Sequence, residues 1–294
     1  MESPVATRAA RLHAYTDDFG DAFTIEDVER PTVEQGDSVV LHPAMTCGTC
    51  RGCRLGQDMH CENYDFVGMD VDGGFAEYLR TSEREVVQLD GLDPIEAAPH
   101  ADAGLTAYNA VKAAAADLVA GDVAVLVGMG GLGHIGLQVL DALSPATTVA
   151  VDVRDEALAL ADELGADHVV NSAEEDLASI VDSVTDGRGA RKIVDFVGSG
   201  ETLSYSLSLL GVGGDHHVVG YEGDLAIPAQ AVVGMEIDFR GTLVGTYAEL
   251  QELIALAEAG DVEVRTETFD LEDINEVARR MHERELDGRA VFTP

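Results

Sequence analysis

The 294-residue chain has no tryptophan, only two lysines (Lys112 and Lys192), and no cysteine outside one stretch of fifteen positions. Each scarcity excludes something. With 18 basic residues against 55 acidic ones the formal charge is −37, so nucleic acid and anionic membrane are excluded as partners. No run of eighteen apolar residues occurs, which excludes a transmembrane helix. The opening residues, MESPVATRAARLHAY, lack a basic stretch followed by an apolar core. No secretory signal is read there, and a cytoplasmic location is expected.

A chain this acidic repels itself unless salt screens it. The carboxylates are spread along the sequence rather than gathered in a tail. They read as the solvated coat of a protein from a high-salt cytoplasm, the alternative being an ordinary acidic protein. Hydrophobic residues make up 46%, enough for a sizeable buried core.

Up to about residue 90 the pattern is of short strands: Arg8–Ala14, Phe23–Val28, Ser38–Leu41, Gly73–Leu79 and Glu85–Gln88, with a cysteine-bearing loop at Thr46–Asn63. Pro94–Val119 is alanine-rich and helical in character. From Gly121 strands and helices alternate: an apolar strand at Val123–Val127, a helix to about Leu143, a strand at Thr148–Val151 and a helix at Asp155–Leu164. Strands follow at His168–Val170, Lys192–Val197, His217–Val219 and Arg240–Val244, then a helix at Tyr247–Ala259. Such alternation predicts an α/β fold with a doubly wound parallel sheet.

The cysteines are spaced Cys47-x2-Cys50-x2-Cys53-x7-Cys61. Clustering of this kind without a secretory signal favours a metal over disulfides. Four thiolates on one tight loop can fill the tetrahedral shell of a zinc ion, giving a closed site that holds a loop and does no chemistry. An iron–sulfur cluster and bare thiols are the other readings. The ferredoxin pattern has a last gap of three and a following proline; here the gap is seven and Glu62 follows.

Gly128-Met129-Gly130-Gly131-Leu132-Gly133 satisfies G-x-G-x-x-G directly after an apolar strand and before a helix, the context that makes the motif a dinucleotide-binding turn. Gly128 allows the tight turn, Gly130 lets backbone approach a pyrophosphate, and Gly133 permits close helix–strand packing. Nineteen residues beyond Gly133, Asp152 ends the strand TTVAVD. A carboxylate there accepts hydrogen bonds from ribose hydroxyls and repels a 2′-phosphate, which favours NAD. Arg154, two residues on, keeps NADP open.

With these motifs on the page, the chain resembles the zinc-dependent medium-chain alcohol dehydrogenases. The shared segments are the cysteine spacing, GGFAEY at Gly73–Tyr78, ADAGLTAY at Ala101–Tyr108, VGMGGLGHIGLQ at Val127–Gln138, VDVR at Val151–Arg154 and DFVG at Asp195–Gly198. VVGY at Val218–Tyr221, GTLVGT at Gly241–Thr246 and the final GRAVFTP complete them. The ADAGLTAY variant is similar to the bacterial and haloarchaeal branch. The resemblance implies a Rossmann NAD-binding domain at residues 106–261. It also implies a shortened GroES-like β-barrel domain at residues 1–105 and 262–294, with one structural zinc in the loop at 46–63. It assigns Gly128, Gly130, Gly131, Leu132, Gly133, Asp152 and Arg154 to the dinucleotide. Val197, Gly220, Val244 and Gly245 border the nicotinamide, and Arg289 reaches the pyrophosphate. Thr106 lies near the nicotinamide, and Asp102 stands at the third catalytic-zinc ligand. A small alcohol or carbonyl compound is the implied substrate. A homodimer or tetramer is the implied assembly, with dimers pairing near Gly241–Gly245.

One part of the family pattern is missing. The segments carrying the first two catalytic-zinc ligands, a Gly-x-Cys-x-x-[Asp/Ser] and a Gly-His-Glu, normally precede the strand corresponding to Gly36–Leu41. Here Val28-Glu29-Arg30-Pro31-Thr32-Val33 runs into Glu34-Gln35-Gly36, and no Gly-His-Glu occurs anywhere. The only His-Glu pair is His282-Glu283, near the other end. A catalytic zinc needs three protein ligands and one open position; Asp102 supplies one, and His100 and His42 are the nearest substitutes. An internal deletion and the absence of the catalytic zinc are therefore expected. Three readings stay open: an NAD-dependent alcohol dehydrogenase, an NAD(H)-binding protein without turnover, and a zinc-independent reductase of the quinone oxidoreductase kind, a branch that typically lacks the structural cysteines.

Overall fold

The computed structural model describes residues 6–12, 23–29, 37–283, 285–286 and 288–294. The junction at residues 30–36, where the missing segment is expected, lies outside them. The chain forms two compact units: Met1–Asp102, Thr246–Ile254 and Val264–Pro294 in one, Ala103–Gly245 and Ala255–Glu263 in the other.

The first unit begins with β1 (Ala6–Leu12) and β2 (Phe23–Glu29), an antiparallel pair in which Ala6 faces Glu29 and Leu12 faces Phe23. Next come β3 (Val39–Leu41), β4 (Ala44–Met45), helix α1 (Arg51–Arg54), β5 (Asp65–Phe66) and β6 (Val86–Gln88). β3 pairs with β6 and β4 with β5, both antiparallel. Helix α2 (Pro94–Ala97) starts where Asp93 accepts the Ile95 amide at 2.8 Å and Pro94 fills a position that needs no donor.

Gly73–Leu79 is not the strand its apolar pattern suggests. Among the described residues only Ala76 pairs, in a single bridge to Ala9. Gly73 lies against Gly68, where an added Cβ would stand 2.7 Å from the Gly68 Cα. The first half of the segment is thus spent on a tight backbone crossing.

The second unit opens with α3 (Ala103–Ala115) and continues as β7 (Val123–Val127), α4 (Gly133–Leu143), β8 (Thr147–Asp152), α5 (Asp155–Glu163) and β9 (His168–Asn171). After α6 (Leu177–Val184) come β10 (Ala190–Asp195), α7 (Gly200–Ser204), α8 (Ser206–Leu209), β11 (Leu210–Val218), α9 (Ala229–Met235) and β12 (Asp238–Gly241). The six strands lie in the order β12-β11-β10-β7-β8-β9, every pair parallel. This is the doubly wound Rossmann arrangement. Strand order reverses between β7 and β10, and ligands of such sheets bind outside the carboxyl ends of the strands there.

The strand VAVLV of β7 is buried along its whole length, as expected for a parallel strand covered on both faces. Val123, Val125, Val127, Val149, Val151 and Ile193 pack together beneath the sheet, each stabilising the fold by about 1.5–3 kcal/mol. β11 starts seven residues before the expected strand, at Leu210. At its Gly211 an added Cβ would meet the Arg188 carbonyl oxygen at 2.2 Å.

Helix α10 (Tyr247–Ala259) runs from the first unit's residues into the second's. The chain then returns through β13 (Thr266–Asp270), α11 (Ile274–His282) and β14 (Arg289–Thr293), with β13 and β14 parallel. The shortened barrel therefore consists, among the described residues, of four two-stranded ladders. Four phenylalanines form a partly exposed ring cluster: the Phe75 ring meets Phe292 edge-on at 5.3 Å and Phe23 at 6.2 Å, and Phe269 lies 6.2 Å from Phe292. Asn275 clamps the start of β2, accepting the Phe23 amide at 2.8 Å and donating to its carbonyl at 3.0 Å.

Candidate functional site

The Gly128–Gly133 turn joins the carboxyl end of β7 to α4 at the reversal point of the sheet. Gly128 has φ +90° and its amide donates to the Val151 carbonyl at 2.7 Å. At Gly133 an added Cβ would sit 1.9 Å from the Gly128 oxygen, so this turn closes only around glycine. At Gly130 the nearest atom is the Arg154 Nη2 at 3.5 Å, so that face of the turn meets only the end of a flexible side chain. Leu132 has helical backbone angles and precedes α4, with Gly131 beside it half-buried.

Asp152, at the end of β8, is buried. Its Oδ2 accepts the Met129 amide at 2.8 Å, and its Oδ1 accepts the amides of Val153 at 2.8 Å and Arg154 at 3.0 Å. The Arg154 guanidinium folds back onto the same carboxylate, with Nε 3.2 Å from Oδ1 and Nη2 3.4 Å from Oδ2. The carboxylate thus pins the glycine turn to the next strand and holds the arginine beside it.

A second turn follows β10. Asp195 is fully buried, and its Oδ1 accepts the Val197 and Gly198 amides, each at 2.9 Å. Its Oδ2 accepts the Thr202 hydroxyl at 2.6 Å, and His216 Nε2 lies 3.6 Å from the same oxygen. Burial alone would push this carboxyl up, but the His216 ring, the Thr202 hydroxyl and the Gly198 and Val197 amides outweigh it and hold it below the ordinary carboxylate range. The turn brings Val197 against Gly128, where a Cβ would come within 2.6 Å of the valine Cγ2, and against Gly220, where a Cβ would reach the Val197 carbonyl carbon at 2.2 Å. Gly128, Val197 and Gly220 are therefore brought together. Sequence reasoning singled out DFVG as shared but gave Asp195 no role; it carried the strand on to Val197, whereas β10 ends at Asp195 and the turn begins there.

Val244 has φ +49° and is buried, and its carbonyl accepts the Asn109 amide group at 2.9 Å. A left-handed conformation is costly for a β-branched residue, and the Asn109 bond from α3 helps to hold it. Gly245 follows directly, at the end of this unit. Thr106 is half-buried on the first turn of α3. On β10, with its side chain on the face opposite Ile193, Lys192 is buried with its ammonium 2.7 Å from Asp117 Oδ1 and bonded to Asp215. Next to it His217 is also buried, with neither ring nitrogen hydrogen-bonded among the described residues. Burial, reinforced by the Lys192 charge, pushes that imidazole down to about 4.

In the first unit the four cysteine sulfurs all lie within 4.8 Å of one another. Cys50 Sγ is 3.6 Å and Cys47 Sγ 3.9 Å from Cys53 Sγ, and Cys61 Sγ accepts the amides of Cys47 and Asn63, each at 3.4 Å. The Thr49 and Cys50 amides push the Cys47 thiol down to about 5, while burial and the neighbouring Cys50 and Cys61 push Cys53 up to about 11. A cluster split in this way, with amides aimed at sulfur, has the donor set and the spacing for one thiolate-bound zinc. Among the described residues it is the only group of three or more His, Cys, Asp or Glu side chains whose donor atoms could share one ion. Asp102 and Arg289 also belong to this unit. The Asp102 side chain is largely exposed, and Arg289 Nη2 lies 4.0 Å from its Oδ2.

The family model of the zinc-binding dehydrogenases matches residues 131–259, and that of the alcohol dehydrogenase GroES-like domain matches residues 22–91. The NAD-dependent alcohol dehydrogenase of Sulfurisphaera tokodaii is 36% identical over 276 residues, covering 92% of this chain and 79% of that protein. The chain belongs to the zinc-type medium-chain alcohol dehydrogenase family. It is thus an alcohol-dehydrogenase-type oxidoreductase by membership. The solved alcohol dehydrogenase of Aeropyrum pernix superimposes with a TM-score of 0.85 at 48% identity, over 92% of this chain and 80% of that one. A D-arabinose 1-dehydrogenase (NADP(+)) of Saccharolobus solfataricus is 36% identical over 283 residues, covering 93% of this chain and 79% of that protein. No helix among the described residues is long and apolar enough to cross a membrane.

Proposed function

We propose that this alcohol dehydrogenase-type chain binds NAD(H) in the Gly128–Gly133 turn and carries one structural zinc on Cys47, Cys50, Cys53 and Cys61. The observation that carries the reading is the turn itself: it closes only around glycine at Gly133, opens a helix at the sheet reversal, and leaves Gly130 facing only the tip of Arg154. Amides at the start of α4 stabilise the pyrophosphate, with Gly131 and Leu132 supplying two of them. Val197, Gly220, Val244 and Gly245 border the nicotinamide, Thr106 stands near it, and Arg289 turns from Asp102 to the pyrophosphate. Arg154 moves off Asp152 to free the carboxylate for a ribose hydroxyl. NAD is preferred because that carboxylate repels a 2′-phosphate; exchange of Arg154 to the phosphate is the route by which NADP would bind.

The substrate is a small alcohol or the matching carbonyl compound, with hydride passing between it and the nicotinamide. In this family a catalytic zinc, when bound, lowers the pKa of the alcohol. Three ligands are needed, and all four cysteines of this chain are used in the structural cluster. Asp102 is left with Arg289. This favours a second reading, in which the chain holds NAD(H) without oxidising alcohols. The relatives extend beyond this chain, which spans 79% of the Sulfurisphaera protein. That fits the internal deletion read around Val33–Gln35. The charge of −37 supports a high-salt cytoplasm and a haloarchaeal type, and the β12 edge of the sheet supports a dimer through Gly241–Gly245.

Zinc analysis together with NAD reduction by a panel of alcohols, in high salt, tests these readings. One zinc, NADH binding and alcohol-dependent NADH formation support the first. One zinc and NADH binding without turnover support the second, and enone reduction with one zinc would point instead to the quinone-reductase kind. Two zincs per chain, or no NADH binding, overturn the proposal.

A further inference from the structure

The cysteine loop and the start of α10 are joined by one buried carboxylate. Asp58 lies in a short helical turn between Cys53 and Cys61 and is 8% exposed. Its Oδ2 accepts the Tyr247 amide at 2.8 Å. Tyr247 is the first residue of α10, whose opening amides have no partner within the helix. Thr246 and Glu249 satisfy one another there: the Thr246 amide donates to Glu249 Oε2 at 2.8 Å, and the Glu249 amide to Thr246 Oγ1 at 3.2 Å. Asp58 takes the first of the amides they leave, and its charge lies at the favourable end of the helix dipole. The Tyr247 hydroxyl donates to the Val86 carbonyl at 2.9 Å, which fixes the ring as well.

Three residues earlier is Val244, left-handed and held through its carbonyl by Asn109. Val244 is thus held by α3, and Tyr247, three residues on, by Asp58 of the cysteine loop. We propose that Asp58 is a positioning residue through which the zinc-bearing loop sets the Val244–Thr246 stretch for dinucleotide binding. This rests on the reading that Val244 and Gly245 border the nicotinamide. Asp58 touches neither cofactor nor metal in this account. It transmits the order of the loop to a strained backbone that cannot hold its conformation alone.

The test compares the full chain with Asp58→Ala and Asp58→Asn, reading zinc by release to a chromogenic chelator and NADH affinity by fluorescence titration. Both variants should keep one zinc. Asp58→Ala should bind NADH roughly three- to tenfold more weakly, the scale of one buried charge-assisted hydrogen bond. Asp58→Asn, which keeps an acceptor, should recover most of the affinity. Unchanged NADH affinity in a zinc-loaded Asp58→Ala overturns the proposal. If Asp58→Ala loses its zinc, Tyr247→Pro removes the same donor from outside the loop at a helix position that accepts proline. Weakened NADH binding there supports the coupling, and wild-type binding overturns it. Gly245→Val separates the underlying reading. If it leaves NADH affinity intact, the stretch does not border the cofactor; if it weakens binding while Asp58→Ala does not, only the coupling fails.

Discussion

Arg289 reaches toward Asp102, its Nη2 4.0 Å from the carboxylate Oδ2. The sequence pattern gives these two residues separate tasks, one on the pyrophosphate and one on a catalytic zinc. Facing each other they neutralise part of one another's charge. The pair is solvent-exposed on the Asp102 side, so it stabilises the fold by no more than about 1 kcal/mol and gives way readily to a better partner. Arg289→Ala should therefore weaken NADH binding about tenfold, the scale of a charge-assisted bond, while leaving the melting temperature nearly unchanged. Asp102→Ala should keep one zinc per chain and bind NADH at least as well as wild type. A loss of bound metal from Asp102→Ala would show that Asp102 does coordinate an ion.

Two glycines in one turn should fail in different ways. Gly133→Ala places a methyl 1.9 Å from a backbone oxygen, and overpacking of that kind destabilises by about 1–3 kcal/mol. Both melting temperature and NADH affinity should fall. Gly130→Ala meets only the tip of Arg154 at 3.5 Å, so the fold should tolerate it. Its methyl would stand where the pyrophosphate must approach, and NADH binding should be lost with the melting temperature intact. Equal NADH affinity in Gly130→Ala and wild type would show that the cofactor does not lie on this turn.

That pair of outcomes reflects how unevenly the chain can be read. The strand VAVLV, the glycine turn and Asp152 were legible because burial on both faces, tight turning and a terminal carboxylate each leave a local mark. The helix at Tyr247–Ala259 was legible from its composition and periodicity, and it begins and ends where expected. The roles of Asp195, Asn109 and Asp58 were not legible. Asn109 and Asp58 act through backbone partners brought close only by folding, at sequence distances of 135 and 189 residues, and Asp195 binds nearby amides whose turn the sequence reading had counted as strand. The left-handed Val244 was invisible for a related reason, since valine carries no sign of a conformation imposed by its neighbours. Gly73–Leu79 misled in the opposite sense, because an apolar pattern cannot show that its first residue is taken up by a close backbone approach to Gly68.

Acid should destabilise the chain through His217. In the unfolded state an imidazole titrates near about 6.5, whereas burial holds this one at about 4. Its contribution is complete above the unfolded value. It is lost as pH falls through the interval between the two, where only the unfolded chain binds the proton. A shift of this size corresponds to about 3 kcal/mol. Urea unfolding at constant high salt should show the decline between neutral pH and about pH 4, and His217→Met should flatten it. The same slope in His217→Met and wild type would assign the acid sensitivity to other groups.

Desalting should unfold the protein. At about 0.1 M salt charges interact over about 10 Å, and at about 1 M over about 3 Å, so the net charge of −37 is screened only in concentrated salt. Circular dichroism should show helical signal lost on dialysis into dilute buffer and recovered with potassium chloride. A full signal in dilute buffer would indicate an ordinary acidic protein.

The most direct single test is native mass spectrometry of the full chain from concentrated ammonium acetate with NADH added. The account predicts a species carrying one zinc per chain and one NADH per chain, with the zinc retained when NADH is removed. A chain with two zincs, or one that carries zinc and never NADH, would contradict it.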